Sequence, residues 1–211
     1  MTKRTSHFMA GRQSVIIDLK EEEKKIETEI REWSSNVIEM PNPNFKNIPT
    51  CPYAKAAWEK GLVKIVFDHD GNDKQLLKYI SSYDDDYELV IVVETDYNED
   101  QDGFHEGLSE VNSLISQDVW DDSDLWVMGF HPSDDESEVL DAESFEPVSE
   151  YSYGLIFIQR LSLLQEASDK LTLTGYYDVY QDNPEITEMY EIRKDYYRRF
   201  LDARQTKKYA R

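Results

Sequence analysis

The stretch YELVIVVET, residues 87–95, contains the clearest strand signal in the chain. Its centre is an uninterrupted apolar run over residues 89–93, with no polar residue at alternate positions. A continuous apolar run of this length is typical of a strand that is buried on both faces. We therefore expect this segment to lie inside a sheet that is covered on both sides.

Two similar segments lie on either side of this run and extend the pattern. LVKIVF at residues 62–67 and LWVMGF at residues 125–130 are predicted strands, and helices are predicted at residues 73–83 and 104–119. This β-α-β-α-β order predicts an α/β fold with a small central sheet of about three to four strands and flanking helices. Residues 153–173 are predicted as a buried helix, with a strand over residues 154–158 as the alternative. The residues expected to face inward on the two internal helices are Leu76, Leu77, Ile80, Leu108, Val111, Leu114 and Ile115.

Long helices are predicted near both ends of the chain. Residues 14–40 carry an apolar stripe at three- and four-residue spacing. Asn183 and Pro184 suit the N-cap and first position of a final helix over residues 183–207. The expected organisation is a flexible basic arm at 1–13, one domain at 14–180 with an acidic mobile loop near 133–150, and a C-terminal helix within 181–211.

The charge balance limits the classes of partner. Asp and Glu number 44 against 23 Lys and Arg, which gives a net charge of −21. Such a field opposes binding to nucleic acid and to anionic lipid, whereas a basic protein partner remains open. No apolar run approaches the roughly 20 residues of a membrane helix, and the start lacks the apolar segment of a signal peptide. A single cysteine excludes an internal disulfide, so a cytoplasmic location is expected and the oligomeric state stays open.

The first candidate site combines Cys51 with His131. Cys51 lies in PTCPYA, residues 49–54, where Pro52 suits the first turn of a helix and would place the thiol near exposed N–H groups that favour a thiolate. His131 directly follows a predicted strand. A thiol beside an imidazole is either a nucleophile pair or half of a metal site. The alternative is a buried structural cysteine and an unrelated histidine that caps a turn.

Other polar residues suggest weaker candidates. Arg160 interrupts an apolar segment and would either orient an anionic substrate or form a structural ion pair. Asp100 and Asp102 lie in a loop that partly follows calcium-loop spacing from Asn98, but Ser109 occupies the position where glutamate is needed, so a solvated turn is the alternative. His69 and His131 each lie among carboxylates, which would allow weak binding of a divalent metal or simply form charged surface. Any other cofactor stays unknown.

Taken together, these motifs resemble a bacterial family of unknown function, the domain family numbered 1415. The resemblance rests on Trp33 with Val37-Ile38, the Cys51-Pro52-Tyr53-Ala54 run, Phe130-His131-Pro132, and the segment at residues 153–160. It covers roughly residues 30–175 and implies a cytosolic single domain with no established activity. The composition, rich in Asp and Tyr, also resembles proteins of marine cyanobacterial phages.

The departures from that family separate two functional hypotheses. The family's histidine in the last motif falls on Phe157, and its Asn-Arg pair falls on Ser149-Glu150. One hypothesis keeps an enzyme-like pocket for a small anionic substrate, in which Cys51 is nucleophile or metal ligand, His131 base or co-ligand, and Arg160 the anion clamp. The other is a non-catalytic acidic interaction protein, a degenerate relative that binds a basic partner.

Overall fold

A computed structural model describes residues 7–96, 101–134 and 152–209, without the side chains of residues 7–18, 185 and 207–209. A π-helical turn follows the first helix, and a tyrosine-rich 3-10 helix, Tyr176–Tyr180, precedes the last one. The elements in chain order are α1 (His7–Trp33), β1 (Pro41–Asn42), β2 (Ile48–Pro49), α2 (Ala54–Glu59), β3 (Val63–Asp68), α3 (Lys74–Ser81), β4 (Leu89–Glu94), α4 (Gln101–Ser116), β5 (Leu125–Phe130), β6 (Gly154–Arg160), α5 (Leu161–Thr172) and α6 (Pro184–Tyr209).

The main sheet has four strands in the order β3-β4-β6-β5. Strands β3 and β4 are parallel, and β6 runs antiparallel to both of its neighbours. The predicted strand at residues 87–95 is β4, which occupies an inner position, and Val90, Val92 and Val93 are inaccessible to solvent. The predicted α/β class with a small sheet and flanking helices is confirmed.

Both faces of the sheet are covered, which gives the fold three layers. On one face, Val90 and Val92 of β4 pack with α3 and α4 through Ile80 and Leu108. On the other face, Ile91 and Val93 contact α1 through Ile26 and Ile30. Because neighbouring strand residues point to opposite faces, odd- and even-numbered positions of β4 belong to different cores.

The helix predicted over residues 153–173 is wrong in its first part. Residues 154–160 form β6, and α5 begins only at Leu161. A helix would place Leu155 and Ile158 on one face, but in β6 they point to opposite faces of the sheet. Since both faces are buried, apolar residues occupy both phases of the alternation, and periodicity alone does not separate such a strand from a buried helix.

The terminal helices differ from prediction mainly at the N-terminal end. Helix α1 already begins at His7, so residues 7–13 of the predicted arm are helical. Helix α6 agrees with prediction, because the Asn183 side-chain oxygen accepts the Ile186 backbone N–H at 3.1 Å as an N-cap. The predicted acidic loop near 133–150 lies largely outside the described residues. Across the described part of the chain, every helix is too short or too polar to cross a membrane.

Gly129 in β5 allows α4 to pack closely on the sheet. A Cβ at this position would lie 2.6 Å from Leu108 Cδ1 and 2.7 Å from the Phe104 ring. We expect Gly129→Ala to lower the free energy of unfolding by about 1–3 kcal/mol, because both neighbours are buried and must shift. Urea unfolding followed by circular dichroism measures the change.

Gly107→Ala in α4 is the matched control, since its Cβ would meet nothing within 4 Å. There the same substitution should stabilise the protein by about 0.5–1 kcal/mol, because alanine is the better helix former. Equal unfolding midpoints for the two variants would contradict the close packing described here.

Candidate functional site

A cavity of about 500 Å³ lies on the sheet face that α1 covers. Its floor is formed by β4, β5 and β6, including Ile91, Met128 and Phe157. Its walls are the end of α1, the segment from Thr50 to Trp58, the inner side of α5, the 3-10 helix and the first half of α6. The cavity therefore brings together parts of the chain that are distant in sequence.

The cavity lining is mostly apolar and rich in aromatic rings. Phe130 contacts Trp33 and Phe157 edge-on at centroid distances of 5.8 and 5.4 Å. Burial raises the pKa of Tyr176 and of Tyr190, so both phenols stay protonated across the ordinary pH range. The aromatic residues of the lining are Trp33, Tyr53, Trp58, Trp126, Phe130, Phe157, Tyr176, Tyr177, Tyr180 and Tyr190.

Arg193 of α6 is the cationic side chain in this lining. The residue is 5% exposed, and its guanidinium donates to Gln165 Oε1 at 3.2 Å and to Ser168 Oγ at 2.6 Å. It also stacks on the Tyr190 ring, with 4.9 Å from Cζ to the centroid. Within the described residues, no carboxylate forms a salt bridge with it. Burial lowers the pKa of Arg193, which shows the cost of holding this charge away from water.

Cys51 lines the same cavity but lacks an activated thiol. Helix α2 begins at Ala54, three residues after Cys51, and not at Pro52 as the sequence predicts. Backbone N–H groups of Tyr53 and Ala54 lower the pKa of the Cys51 thiol, but burial raises it more, and Glu39 adds to the rise. The net direction is upward, so the prediction of a favoured thiolate is wrong: the protonated form is favoured.

His131 lies on the opposite side of the sheet from Cys51. Its ring packs on Phe104, which belongs to the core beneath α3 and α4, at a centroid distance of 5.5 Å. The Ser133 backbone N–H donates to His131 Nδ1 at 3.1 Å, so the ring caps the turn after β5. His131 does not line the cavity that contains Cys51. The structure therefore does not bring the predicted pair together.

Arg160 forms the structural ion pair that was the alternative to an anion clamp. Its guanidinium contacts Asp85 and Asp122, each at 2.6 Å, and lies over the Tyr83 ring. Burial lowers the pKa of Arg160, but the hydrogen bonds and charges of these two carboxylates outweigh it and hold the pKa above its ordinary value. Since two carboxylates already surround the charge, Arg160 has little attraction left for an anionic ligand.

The predicted metal positions receive no support from the described residues. Asp100 lies outside them, and Asp102 is exposed in the first turn of α4, whereas a calcium loop needs it in loop backbone. His69 bonds to Thr95 Oγ1 at 2.7 Å and to Glu23 Oε1 at 2.9 Å. Across the described ranges, no three His, Cys, Asp or Glu residues are grouped in a way that would hold a metal ion.

Arg193 and its partners Gln165 and Ser168 are absent from the site residues predicted from the sequence. A signal was present, because Ile186, Tyr190 and Arg193 follow the i, i+4, i+7 spacing of one helical face. An arginine in phase with apolar residues on a helix indicates a buried cation. The weak overall amphipathicity of α6 hid this pattern among many charged residues.

No protein-family model, curated protein or solved structure matches this chain. The resemblance to the bacterial family numbered 1415 therefore stays a prediction. The site has to be interpreted from its own geometry.

The reactivity of Cys51 tests this description of the thiol. We expect alkylation by iodoacetamide at pH 8 to be slower in the native protein than in the urea-unfolded chain. The reason is that a raised thiol pKa leaves less thiolate at a given pH. The rate-against-pH profile should shift to higher pH than that of the unfolded reference.

His131→Ala is the informative variant, because the two residues contact opposite faces of the sheet. It should leave the native alkylation profile unchanged. A native profile shifted to lower pH, with the shift abolished in His131→Ala, would restore the predicted nucleophile pair.

Proposed function

We propose that the protein binds a small amphipathic organic anion in the cavity, with Arg193 as the counter-charge. The observation that carries the proposal is a guanidinium that is almost fully buried and whose hydrogen-bond partners, among the residues that the structure describes, are neutral side chains. Gln165 and Ser168 accept from two of its donor groups, Nε and Nη2, but they do not neutralise its charge. The cavity next to it offers the space for an anion that would.

The energetics of buried charges support this assignment. Taking an ion out of water costs several kcal/mol, and proteins usually offset that cost with an opposite charge. Arg160 shows the usual solution in this chain, with Asp85 and Asp122 in direct contact. Arg193 differs in having a cavity where a carboxylate partner would be expected. An anionic ligand would supply the missing partner and gain from the low local dielectric.

The size and lining of the cavity indicate the rest of the ligand. Small-molecule sites are typically about 300–1,000 Å³, mostly apolar, with a few polar groups that fix orientation. The present cavity, at about 500 Å³, lies within that range. Its aromatic and aliphatic walls favour a ligand with an apolar body. Tyr53 is 45% exposed and lines the cavity, so the cavity reaches the surface there.

The proposal keeps the anionic ligand expected from the sequence but moves its recognition to another residue. Arg193 takes the role predicted for Arg160. The reaction predicted from Cys51 and His131 is not part of it, because His131 does not line the cavity. The proposed activity is therefore binding.

Fluorescence titration with 11-(dansylamino)undecanoic acid tests the proposal. The wild-type protein should bind the acid and bind its methyl ester at least about tenfold more weakly, because the ester lacks the charge that pairs with Arg193. Arg193→Met should reduce affinity for the acid by a similar factor and leave affinity for the ester within about threefold. The reason is that removing the guanidinium charge removes the ion pair with the carboxylate of the acid, which the uncharged ester does not form.

Arg199→Met is the matched control, since it removes one positive charge from the same helix. Arg199 is more than half exposed and pairs with Asp195 at 2.6 Å, away from the cavity lining. It should leave both affinities unchanged. Equal binding of acid and ester by the wild type, or equal losses in the two variants, would refute the assignment of Arg193 as the anion partner.

A further inference from the structure

The way Arg193 is held limits which of its hydrogen bonds a ligand can use. A guanidinium has a lateral edge formed by Nε and Nη2 and an end-on edge formed by Nη1 and Nη2. Gln165 accepts from Nε and Ser168 accepts from Nη2, so these two residues occupy the lateral edge. The end-on edge, with the Tyr177 hydroxyl close to the guanidinium, would then be the docking position for an incoming anion.

This orientation is fixed from behind by further hydrogen bonds. Gln165 is 2% exposed, and its amide nitrogen donates to Asp169 Oδ1 at 2.8 Å, which sets which end of the amide faces Arg193. The Tyr177 hydroxyl donates to Ser168 Oγ at 2.9 Å and lies beside the guanidinium. Both acceptors of Arg193 are thereby held in place before any ligand arrives.

Arg193 is the cationic side chain of the cavity lining, which also includes the exposed carboxylate Glu88. The groups facing the guanidinium from α5 and the 3-10 helix are neutral, namely Gln165, Ser168 and the Tyr177 phenol, as is Tyr190 on α6. The nearby carboxylate, Asp169, is exposed and reaches Arg193 through Gln165. A second negative charge on a ligand would therefore have no cation to meet and would lose its hydration.

From this geometry we infer that the cavity selects a singly charged head group, such as a carboxylate, and discriminates against a doubly charged phosphate monoester. This inference rests on the proposed function, because it specifies the ligand of the same site. A carboxylate matches the end-on edge with its two oxygens and one charge. A phosphate monoester carries between one and a half and two charges at pH 7, with its second pKa near 6.

Competition by three decyl compounds tests the inference with the full-length protein, each kept below its micellar concentration. Decanoate and decyl sulfate are monoanions throughout, whereas decyl phosphate changes from mostly monoanion at pH 5.5 to dianion at pH 8. Each compound displaces the dansyl acid in titrations at both pH values. Decyl sulfate has the shape of decyl phosphate but carries one charge at both pH values. Any change in its affinity between pH 5.5 and pH 8 therefore reports the change in the protein's own charge.

We expect decyl phosphate to compete at least about tenfold more weakly than decyl sulfate at pH 8, and within about threefold of it at pH 5.5. Decanoate should track the sulfate at both pH values. Arg193→Lys keeps one positive charge and should keep the preference for the monoanion at reduced affinity, which separates the charge effect from any loss of folding.

Equal competition by phosphate and sulfate at pH 8, while both still displace the probe, overturns the single-charge inference and leaves the proposed function standing. Failure of every decyl compound and of the probe to bind overturns both.

Discussion

The burial of β4 on both faces is the constraint on which the rest of the structure depends. Its run of aliphatic residues cannot be solvated on either side, so helices must cover the sheet twice. Strand β6 pairs with all six residues of β4 and must also be covered on both faces. The alternation of side chains then assigns neighbouring residues to different environments, as Ile91 and Val92 show. One face becomes a closed core, whereas the other retains a cavity.

This alternation also explains why residues that look paired in sequence are separated in space. His131 turns toward the α4 side at the end of β5, whereas Phe130 immediately before it lines the cavity on the other side. A change of one position along a strand is a change of face. The chemistry of the two faces is therefore independent, with a capped turn on one and a buried cation on the other.

The edge of the sheet shows how the fold satisfies its backbone where pairing stops. Strand β5 is an edge strand, and Asn112 of α4 completes it: its amide nitrogen donates to the Val127 carbonyl at 2.7 Å, and its oxygen accepts the Val127 N–H at 2.8 Å. A side chain thus replaces a fifth strand at this point. This use of a buried asparagine explains why α4 does not follow a purely apolar stripe.

The sequence predicted the order of elements well because hydrophobic runs and caps are local signals. Three strands, α3, α4 and α6 lie close to their predicted positions. Inward-facing residues were less predictable: Leu77 and Leu114 are 44% and 41% exposed, whereas Asn112 and Tyr79 are buried. Polar groups are buried when a distant partner satisfies them, and such partners are not visible in a helical period. The prediction of the candidate site failed for the same reason. The burial of Arg193 depends on partners in α5 and on a cavity formed by segments far apart in the chain.

The overall charge and the charge of Arg193 act over different distances, and under the proposed function this difference would decide which ligands the cavity favours. A net charge of −21 repels anions, but salt screens exposed charges beyond about 10 Å. Arg193 is buried in a low-dielectric wall, so its attraction is screened much less. A small hydrophilic anion would gain the one contact and still oppose the field. An anion with an apolar body adds the burial of that body, at about 25 cal/mol per Å², and this added term tips the balance toward binding. Under the proposed function, the acidic surface and the buried arginine together would therefore favour amphipathic ligands over inorganic ions.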